Sequence, residues 1–377
     1  MSPGWKLYGK RVMLAIGVAV NVFALMVTLF TAYSGYIDPD KMPFAGLAGM
    51  TFGIWLVLDM LLIAVDLVFK KILALLPFMA MCASAGPVLT FSPVNITNDD
   101  LTPDEKSRLF KVMNYNILHF ADIEDRYPGG INRTLHYIIE ADADVVCLQE
   151  CDFLTPFSHY CVTKEQIDTL NRMYPYHYIG RSDQSVLSKY PVKNMPLPHE
   201  LGDKGDVAAY RLTIDGHDLT IFNVHLQSIG LTVSDKELFL ELTDVSKDKS
   251  LRRIRSQLVS KLYDAYRQRA SQARRLRQYV EEIGGNVILC GDFNDIPGCY
   301  ALRTIEKSGL RDVYAEVAFG PVITYSANRF YFRIDHVLYK GDFHPVSIVS
   351  GNVRSSDHYP LLTTYVWNQI TDKSTIK

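Results

Sequence analysis

The pattern of apolar and polar positions changes character once along the chain. From Val12 to Val94 apolar residues dominate, and after Asn95 the composition is that of an ordinary soluble domain. Three apolar stretches can be drawn in the first part, 12–33, 44–69 and 72–91. Each approaches the ~20 residues that a helix needs to cross a hydrocarbon core. Asp38-Pro39-Asp40-Lys41 separates the first two, and Lys70-Lys71 the second and third. The first stretch reads as a span and not as a cleaved leader. No clear small-residue cleavage site follows it, and two more apolar stretches do. Residues 1–94 are therefore expected to form a membrane anchor of about three helices.

Periodicity predicts the elements of the second part. After a Pro-, Asn- and Thr-bearing linker at 95–107, short alternating or β-branched runs at 109–116, 144–150, 184–188, 208–214, 219–226, 286–292, 332–339 and 361–365 read as strands. Residues 131–141 suit a helix. A long helix is expected over 249–282, where Ile254, Leu258, Leu262, Ala265, Ala273, Leu276 and Val280 recur at helical spacing. Many short strands with few helices suggest two packed sheets with helices outside. A catalytic domain over 108–366 and a C-terminal tail over 367–377 complete the division.

Charge refines this picture. The formal net charge is −2, so a polyanion partner would need a local basic patch. The long helix offers one, with Arg252, Arg253, Arg255, Arg267, Arg269, Arg274, Arg275 and Arg277 on its polar face. That face reads either as a solvated surface or as a strip for nucleic acid or anionic headgroups. Lys6, Lys10, Arg11, Lys70 and Lys71 flank the apolar stretches. If they face the cytoplasm, three spans place the catalytic domain on the extracytoplasmic side, the periplasm in a bacterium. Asp59 and Asp66 fall on one face of the second stretch, either as functional intramembrane acids or as residues facing a bundle interior. Six cysteines are too scattered for a disulfide scaffold. Cys147 and Cys290 read as core residues. Cys151, Cys161 and Cys299 are candidates to pair in an oxidising compartment, with no pair favoured.

Polar residues recur at the ends of the apolar strands: Asn116, Glu150, His225, Asp292 with Asn294, Asp335, and Asp357 with His358. A lone acid after a strand is usually a turn residue, but a succession of them can converge on one rim of a sandwich. The set suits phosphoryl transfer to water. Carboxylates bind the hard cation that neutralises phosphate charge, amides add ligands without charge, and an Asp-oriented His moves protons or donates to phosphate. No acyl-enzyme nucleophile has a matching context.

Asn114-Tyr-Asn116-Ile, Leu148-Gln-Glu150, Leu187-Ser-Lys-Tyr-Pro191, Asn223-Val-His225-Leu, Gly291-Asp292-Phe-Asn294-Asp-Ile-Pro297, Arg333-Ile-Asp335-His and Ser356-Asp357-His358-Tyr-Pro360 resemble the motifs of the endonuclease/exonuclease/phosphatase (deoxyribonuclease I-like) superfamily. The resemblance covers nearly all of the soluble part and none of the anchor. It implies a four-layer α/β sandwich, two facing and mainly antiparallel sheets flanked by helices, here preceded by an all-α membrane region. It implies Mg²⁺ as cofactor, with Mn²⁺ as a substitute, held by Glu150, Asn116 and Asp357. It makes Asp292 the residue that orients or deprotonates water, and Asn294 a holder of a phosphate oxygen. His358, paired with Asp335, contacts the scissile phosphate, and His225 stabilises the phosphate or the leaving oxygen. The run 180–185 departs from the family pattern, which leaves Arg181, Asp183 and Gln184 without an assigned role. The expected activity is hydrolysis of a phosphodiester or phosphomonoester, in a lipid headgroup, a nucleic acid or a small molecule. The alternatives are an anchored nuclease and a silent membrane sensor. No obligate protein partner is implied.

Overall fold

The computed structural model describes residues 3–96, 101–121, 131–151, 162–179, 183–198, 201, 206–230, 250–327 and 330–369. The N-terminal region is helical: α1 (Pro3–Ala32), α2 (Phe44–Gly49), α3 (Phe52–Phe69), α4 (Leu75–Ala83) and α5 (Ala85–Phe91). Within α1 the segment Tyr8–Ala32, and the whole of α3, are long and apolar enough to cross a membrane. The third expected stretch is instead split at Ser84 into α4 and α5. α1, α3 and α4 pack against one another. Their outer surfaces expose large apolar side chains such as Met13, Phe23, Leu61 and Val68. The polar residues turn inward. Asp59 and Asp66 are buried, and Thr28 on α1 donates to Asp59 at 2.7 Å. Both acids therefore face the bundle interior.

After α6 (Pro103–Lys106) come two six-stranded sheets. The strands in chain order are β1 (Leu109–Asn116), β2 (Val145–Gln149), β3 (Tyr176–Ile179), β4 (Ser185–Ser188), β5 (Val192–Met195), β6 (Val207–Ile214), β7 (His217–His225), β8 (Val287–Asp292), β9 (Arg311–Asp312), β10 (Tyr325–Ala327), β11 (Phe330–Phe332), β12 (Asp335–Lys340), β13 (Phe343–Ser350) and β14 (Leu361–Trp367). One sheet has the order β13-β14-β1-β2-β4-β3, the other β5-β6-β7-β8-β12-β9, and β10 with β11 forms a separate hairpin. Each sheet is mixed. The only parallel pairs among the described strands are β1 with β2 and β7 with β8. The helices are α7 (Arg133–Ala141), α8 (Lys164–Met173), α9 (Ser250–Ile283), α10 (Tyr300–Glu306) and α11 (Val313–Val317).

Strand alternation explains the four layers. Val112, Ile221 and Ile288 enter the core between the sheets, where Cys147 meets Cys290. Their chain neighbours Met113, Phe222 and Leu289 point the other way. Met113 meets Leu135 and Ile138 of α7, while Phe222 and Leu289 meet Leu276 and Val280 of α9. A strand buried on both faces reads as a continuous apolar run, and these segments do so.

One expectation needs correction. The run 332–339 is not one strand. It breaks at Arg333–Ile334 into β11 and β12, because the amides of Ile334 and Asp335 both donate to Thr324 Oγ1 at 3.0 Å instead of to a ladder. The arginines of α9 are only partly engaged by acids, and Arg275 stands partly exposed with no such acid among the described residues. Arg269 is buried on Asp295, Arg274 binds Asp38 and Asp40, Arg277 binds Glu281, and Arg267 lies 3.6 Å from Asp264. Arg252, Arg253 and Arg255 lie outside the described side chains. Cys151 and Cys299 are free thiols, and Cys161 lies outside the described residues.

Candidate functional site

The parallel pairs bring the polar strand ends to one rim. In the second sheet His225 of β7 stands beside Asp292 of β8, and Asp292 beside Asp335 of β12. In the first sheet Asn116 of β1 stands beside Gln149 of β2, with Glu150 next in the chain. A buried amide network holds the two sheets together at this end. Gln149 Nε2 donates to Asn114 at 2.8 Å and to Asn223 at 2.7 Å, and Asn223 Nδ2 returns bonds to the Leu148 and Ser185 carbonyls at 2.9 and 3.0 Å. Buried amides placed in this way fix register as well as satisfy one another.

Asp292 is the hub. It is 2 % exposed, and its Oδ1 accepts from the Asn294 amide at 2.7 Å. Its Oδ2 accepts from Asn116 Nδ2 at 3.2 Å and lies 3.5 Å from His358 Nε2 and 3.8 Å from His225 Nε2. Gly291 permits this, since an added Cβ would collide with the Val224 carbonyl of the neighbouring strand. Asn116 Nδ2 also donates to Glu150 Oε1 at 3.0 Å. Glu150 (φ 49) and Asn294 (φ 51) both adopt left-handed backbone, a costly conformation for a glutamate that concentrates at functional sites.

Each histidine has its own acid. Asp335 Oδ2 lies 2.8 Å from His358 Nδ1, and Asp183 Oδ2 lies 2.9 Å from His225 Nδ1. Burial opposes charge on His225, but the bond to Asp183 and the charges of Asp292 and Glu150 prevail and push it up to about 9. Burial also opposes charge on His358, and Asp335 and Asp292 outweigh it, so this imidazole too is held above its ordinary range. Burial pushes Asp335 itself upward, against the pull of His358. Ser356 anchors the loop that carries Asp357 and His358, donating to the Asn116 carbonyl at 2.8 Å and accepting from the His358 amide at 3.1 Å.

Glu150, His225, Asp292, Asn294, Asp357 and His358 line one cleft of about 330 Å³. Asn116 and Asp335 stand behind it, on Glu150 and His358. The structure thus brings together all eight residues singled out from the sequence. Asn294 donates its side-chain amide to the Leu226 carbonyl at 3.0 Å, so its second N–H is the one left for a ligand. Two contributors escaped the sequence. Asp183 lies in the run that departs from the family pattern. His119, whose Nε2 lies 3.9 Å from Glu150 Oε2, sits in a short 3-10 turn with no motif around it.

Residues 113–358 match the model of the Endonuclease/Exonuclease/phosphatase family. The chain belongs to this family. All three activities in the family name break a phosphoester bond, and the chain is a hydrolase of that general kind. Residues 10–91 match a second model, described as a domain of unknown function (DUF8431). No curated protein matches the chain. Among solved structures, an endonuclease/exonuclease/phosphatase from Beutenbergia cavernae is similar at 20 % identity and a TM-score of 0.45, over 69 % of this chain and 72 % of that one. The human Nocturnin catalytic domain with bound sulfate is similar at 17 % identity and 0.46, over 70 % and 94 %. The D. rerio TDP2 complex with a single-strand DNA product is similar at 16 % and 0.42, over 68 % and 98 %.

The donor set fits a hard divalent cation. Glu150, Asp292, Asp335 and Asp357 crowd one rim with two histidines, and the arginine that lines the cleft, Arg269, is engaged by Asp295. Oxygen donors with excess negative charge and no thiol among the described cleft residues are what Mg²⁺ or Mn²⁺ requires. One oxygen or nitrogen from each of Asp292, Asp335 and His358 lies within 4.8 Å of the others. Within that trio His358 Nδ1 is bonded to Asp335, and its Nε2 faces Asp292. Glu150 and Asp357 are partly exposed and face the same cleft.

Proposed function

We propose that this chain is a membrane-held, Mg²⁺-dependent phosphoesterase, with Mn²⁺ as a substitute, that hydrolyses its substrate by direct attack of water. The observation that carries this reading is the convergence on Asp292 Oδ2 of Asn116, His225 and His358, in the cleft that also presents Glu150 and Asp357. Glu150 and Asp357 would hold the ion, with Asn116 clamping Glu150 in place. When bound, the ion supplies positive charge that offsets the charge developing on the phosphate and leaving oxygens.

The other roles fall to the chain's own groups. Asp292 orients the attacking water and accepts its proton. The water oxygen forms the new bond to phosphorus, and the ester P–O bond breaks with its electron pair on the leaving oxygen. His358, kept cationic and fixed by Asp335, donates to a non-bridging oxygen. His225, kept cationic by Asp183, stabilises or protonates the leaving oxygen. The free N–H of Asn294 holds a second phosphate oxygen. These groups are fixed before substrate arrives, which is how electrostatic stabilisation lowers a barrier.

The anchor reading rests on α1 and α3, and the proposed orientation puts the catalytic domain on the side opposite Lys70 and Lys71. The test uses full-length protein in nanodiscs with bis(4-nitrophenyl) phosphate. Turnover should require Mg²⁺ or Mn²⁺, and Asp292→Ala and His358→Ala should each lower kcat by about 10³-fold or more. Mg²⁺ should raise the melting temperature of the wild type but not of Glu150→Gln. Unchanged turnover in either alanine variant would sink the mechanism, and a persisting shift in Glu150→Gln would sink the metal assignment.

A further inference from the structure

The catalytic cleft has a second wall, and it is apolar. Leu47 and Met50 come from α2 and the turn after it, Leu262 and Tyr266 from α9, and Phe330 and Phe332 from the β10–β11 hairpin. Two of these belong to the N-terminal helical region, so part of the catalytic cleft is built by the segment joining α1 to α3. The join is close-packed. Tyr266 donates to Met50 Sδ at 2.9 Å, and a Cβ at Gly46 would strike the Tyr266 ring.

Met50, Tyr266 and Phe332 also line a second cavity of about 370 Å³, so the two spaces share a wall. The second cavity runs between the end of α1 at Thr31 and Ala32, the start of α3 at Phe52 and Gly53, and α5 at Pro87 and Phe91. It therefore leads from the carboxylate–histidine cluster to the ends of the two helices long and apolar enough to cross a membrane. Neither arginine lining the two spaces is free to track a polyanion. Arg269 is bonded to Asp295, and Arg303 donates to the Gly298 carbonyl and covers the Tyr36 ring.

A charged cluster that adjoins an apolar chamber opening toward lipid-facing helices fits a molecule with the same two halves. We infer that the substrate is the phosphoester of a membrane amphiphile. Its phosphate sits against Asp292, His225 and His358, and its hydrocarbon chain occupies the chamber between the helical bundle and the catalytic domain. This rests on the phosphoesterase reading above and names the substrate class of that site. Each buried methylene of such a chain adds to binding in proportion to the area taken from water.

The test is a homologous series of 4-nitrophenyl alkyl phosphodiesters with methyl, butyl, octyl and dodecyl chains. Each is kept below its micellar concentration and given to full-length protein in nanodiscs with Mg²⁺. The leaving group and the phosphate are constant, so only the chain varies. We expect kcat/KM to rise at least about tenfold from methyl to octyl. Gly53→Leu should flatten the series, since Gly53 lines the chamber and a Cβ there meets nothing within 4 Å. Turnover of the methyl ester with no gain along the series, or faster cleavage of supercoiled DNA than of any long-chain ester, would overturn the amphiphile and leave the phosphoesterase reading standing. No turnover of any member with either metal would remove that reading and this inference with it.

Discussion

Two histidines at the catalytic end are driven in opposite directions by what surrounds their ring nitrogens. His358 has a carboxylate at each nitrogen, and its proton is held. His336 lies one residue beyond Asp335, packed edge-on to Phe293. Its Nε2 is bonded to the Asp295 carbonyl at 2.9 Å, and its buried Nδ1 has no partner among the described residues. A second proton would place an N–H with nothing to accept it. Burial and the nearby charge of Arg333 accordingly lower His336 from 6.5 to about 3. In the window from about 6.5 down to 3 the unfolded chain binds the extra proton and the folded one does not. Stability from this group is therefore complete above 6.5 and falls as pH drops, by up to about 1.4 kcal/mol per unit. His225, raised to about 9, acts in a different window: its contribution is complete below 6.5 and is lost as pH rises to about 9. Melting temperature should therefore fall on both sides of neutrality. In His336→Gln the acid side should flatten while the alkaline side stays, and an acid limb as steep as the wild type's would show that His336 does not titrate on unfolding. The residues at strand ends were legible because each follows an apolar run and sits in a recognisable motif. Asp183 and the Gln149–Asn223 link were not, because their partners lie 42 and 74 residues away on another strand.

Among the elements, α9 shows what periodicity yields and what it leaves open. The helix was legible from its apolar spacing, and its arginines were legible as a polar face. Which of them find acids outside the helix was not, because Asp295, Asp38 and Asp40 lie in distant segments of the chain. The pairs differ in consequence. Arg269 is 1 % exposed and joins Asp295, in the loop that follows Asp292 and carries Asn294, while also donating to the Gln227 carbonyl at 2.9 Å. Burial pushes the Asp295 carboxyl up against the pull of Arg269, so removing the guanidinium leaves a buried acid without its cation, held by the Ile296 amide at 3.0 Å. Arg269→Ala should cost about 3–5 kcal/mol and lower turnover by displacing the catalytic loop. Arg274 is 37 % exposed and binds Asp38 and Asp40 of the α1–α2 connection. Arg274→Ala should cost under about 1 kcal/mol. Thermal unfolding of both variants in the same detergent checks the ranking, and equal losses would refute it. Strand β13 was missed for a related reason. Pro345 interrupts its alternation, which an edge strand tolerates through the bulge between Pro345 and Ser347.

For the whole molecule, the sequence separated an apolar part from a soluble one, and nothing in it announced that the two meet. They meet through the segment between α1 and α3. Gly35 lies so close to the Gly298 carbonyl that a Cβ could not fit, Tyr36 is covered by Arg303, and Asp38 accepts from Arg274 and Tyr300. Each of these contacts joins residues at least 236 positions apart, so this docking was invisible in the residue pattern. It does fix a topology. The end of α1, all of α2, the start of α3 and the end of α5 lie on the catalytic side, whereas Lys70 and Lys71 follow α3 at the far end. If α1 and α3 span the bilayer, the lysines and the catalytic domain face opposite compartments, and the positive-inside bias assigns the lysines to the cytoplasm. Single cysteines at Lys71 and at exposed Asp342, in a chain freed of its native thiols, would report this with a membrane-impermeant maleimide. Asp342→Cys should label in intact cells, or in spheroplasts if an outer membrane intervenes, and Lys71→Cys only after permeabilisation. The reverse pattern would place the catalytic domain in the cytoplasm. Labelling of both without permeabilisation would mean that α3 does not cross, and the cleft would then sit beside the membrane with no helix leading into it.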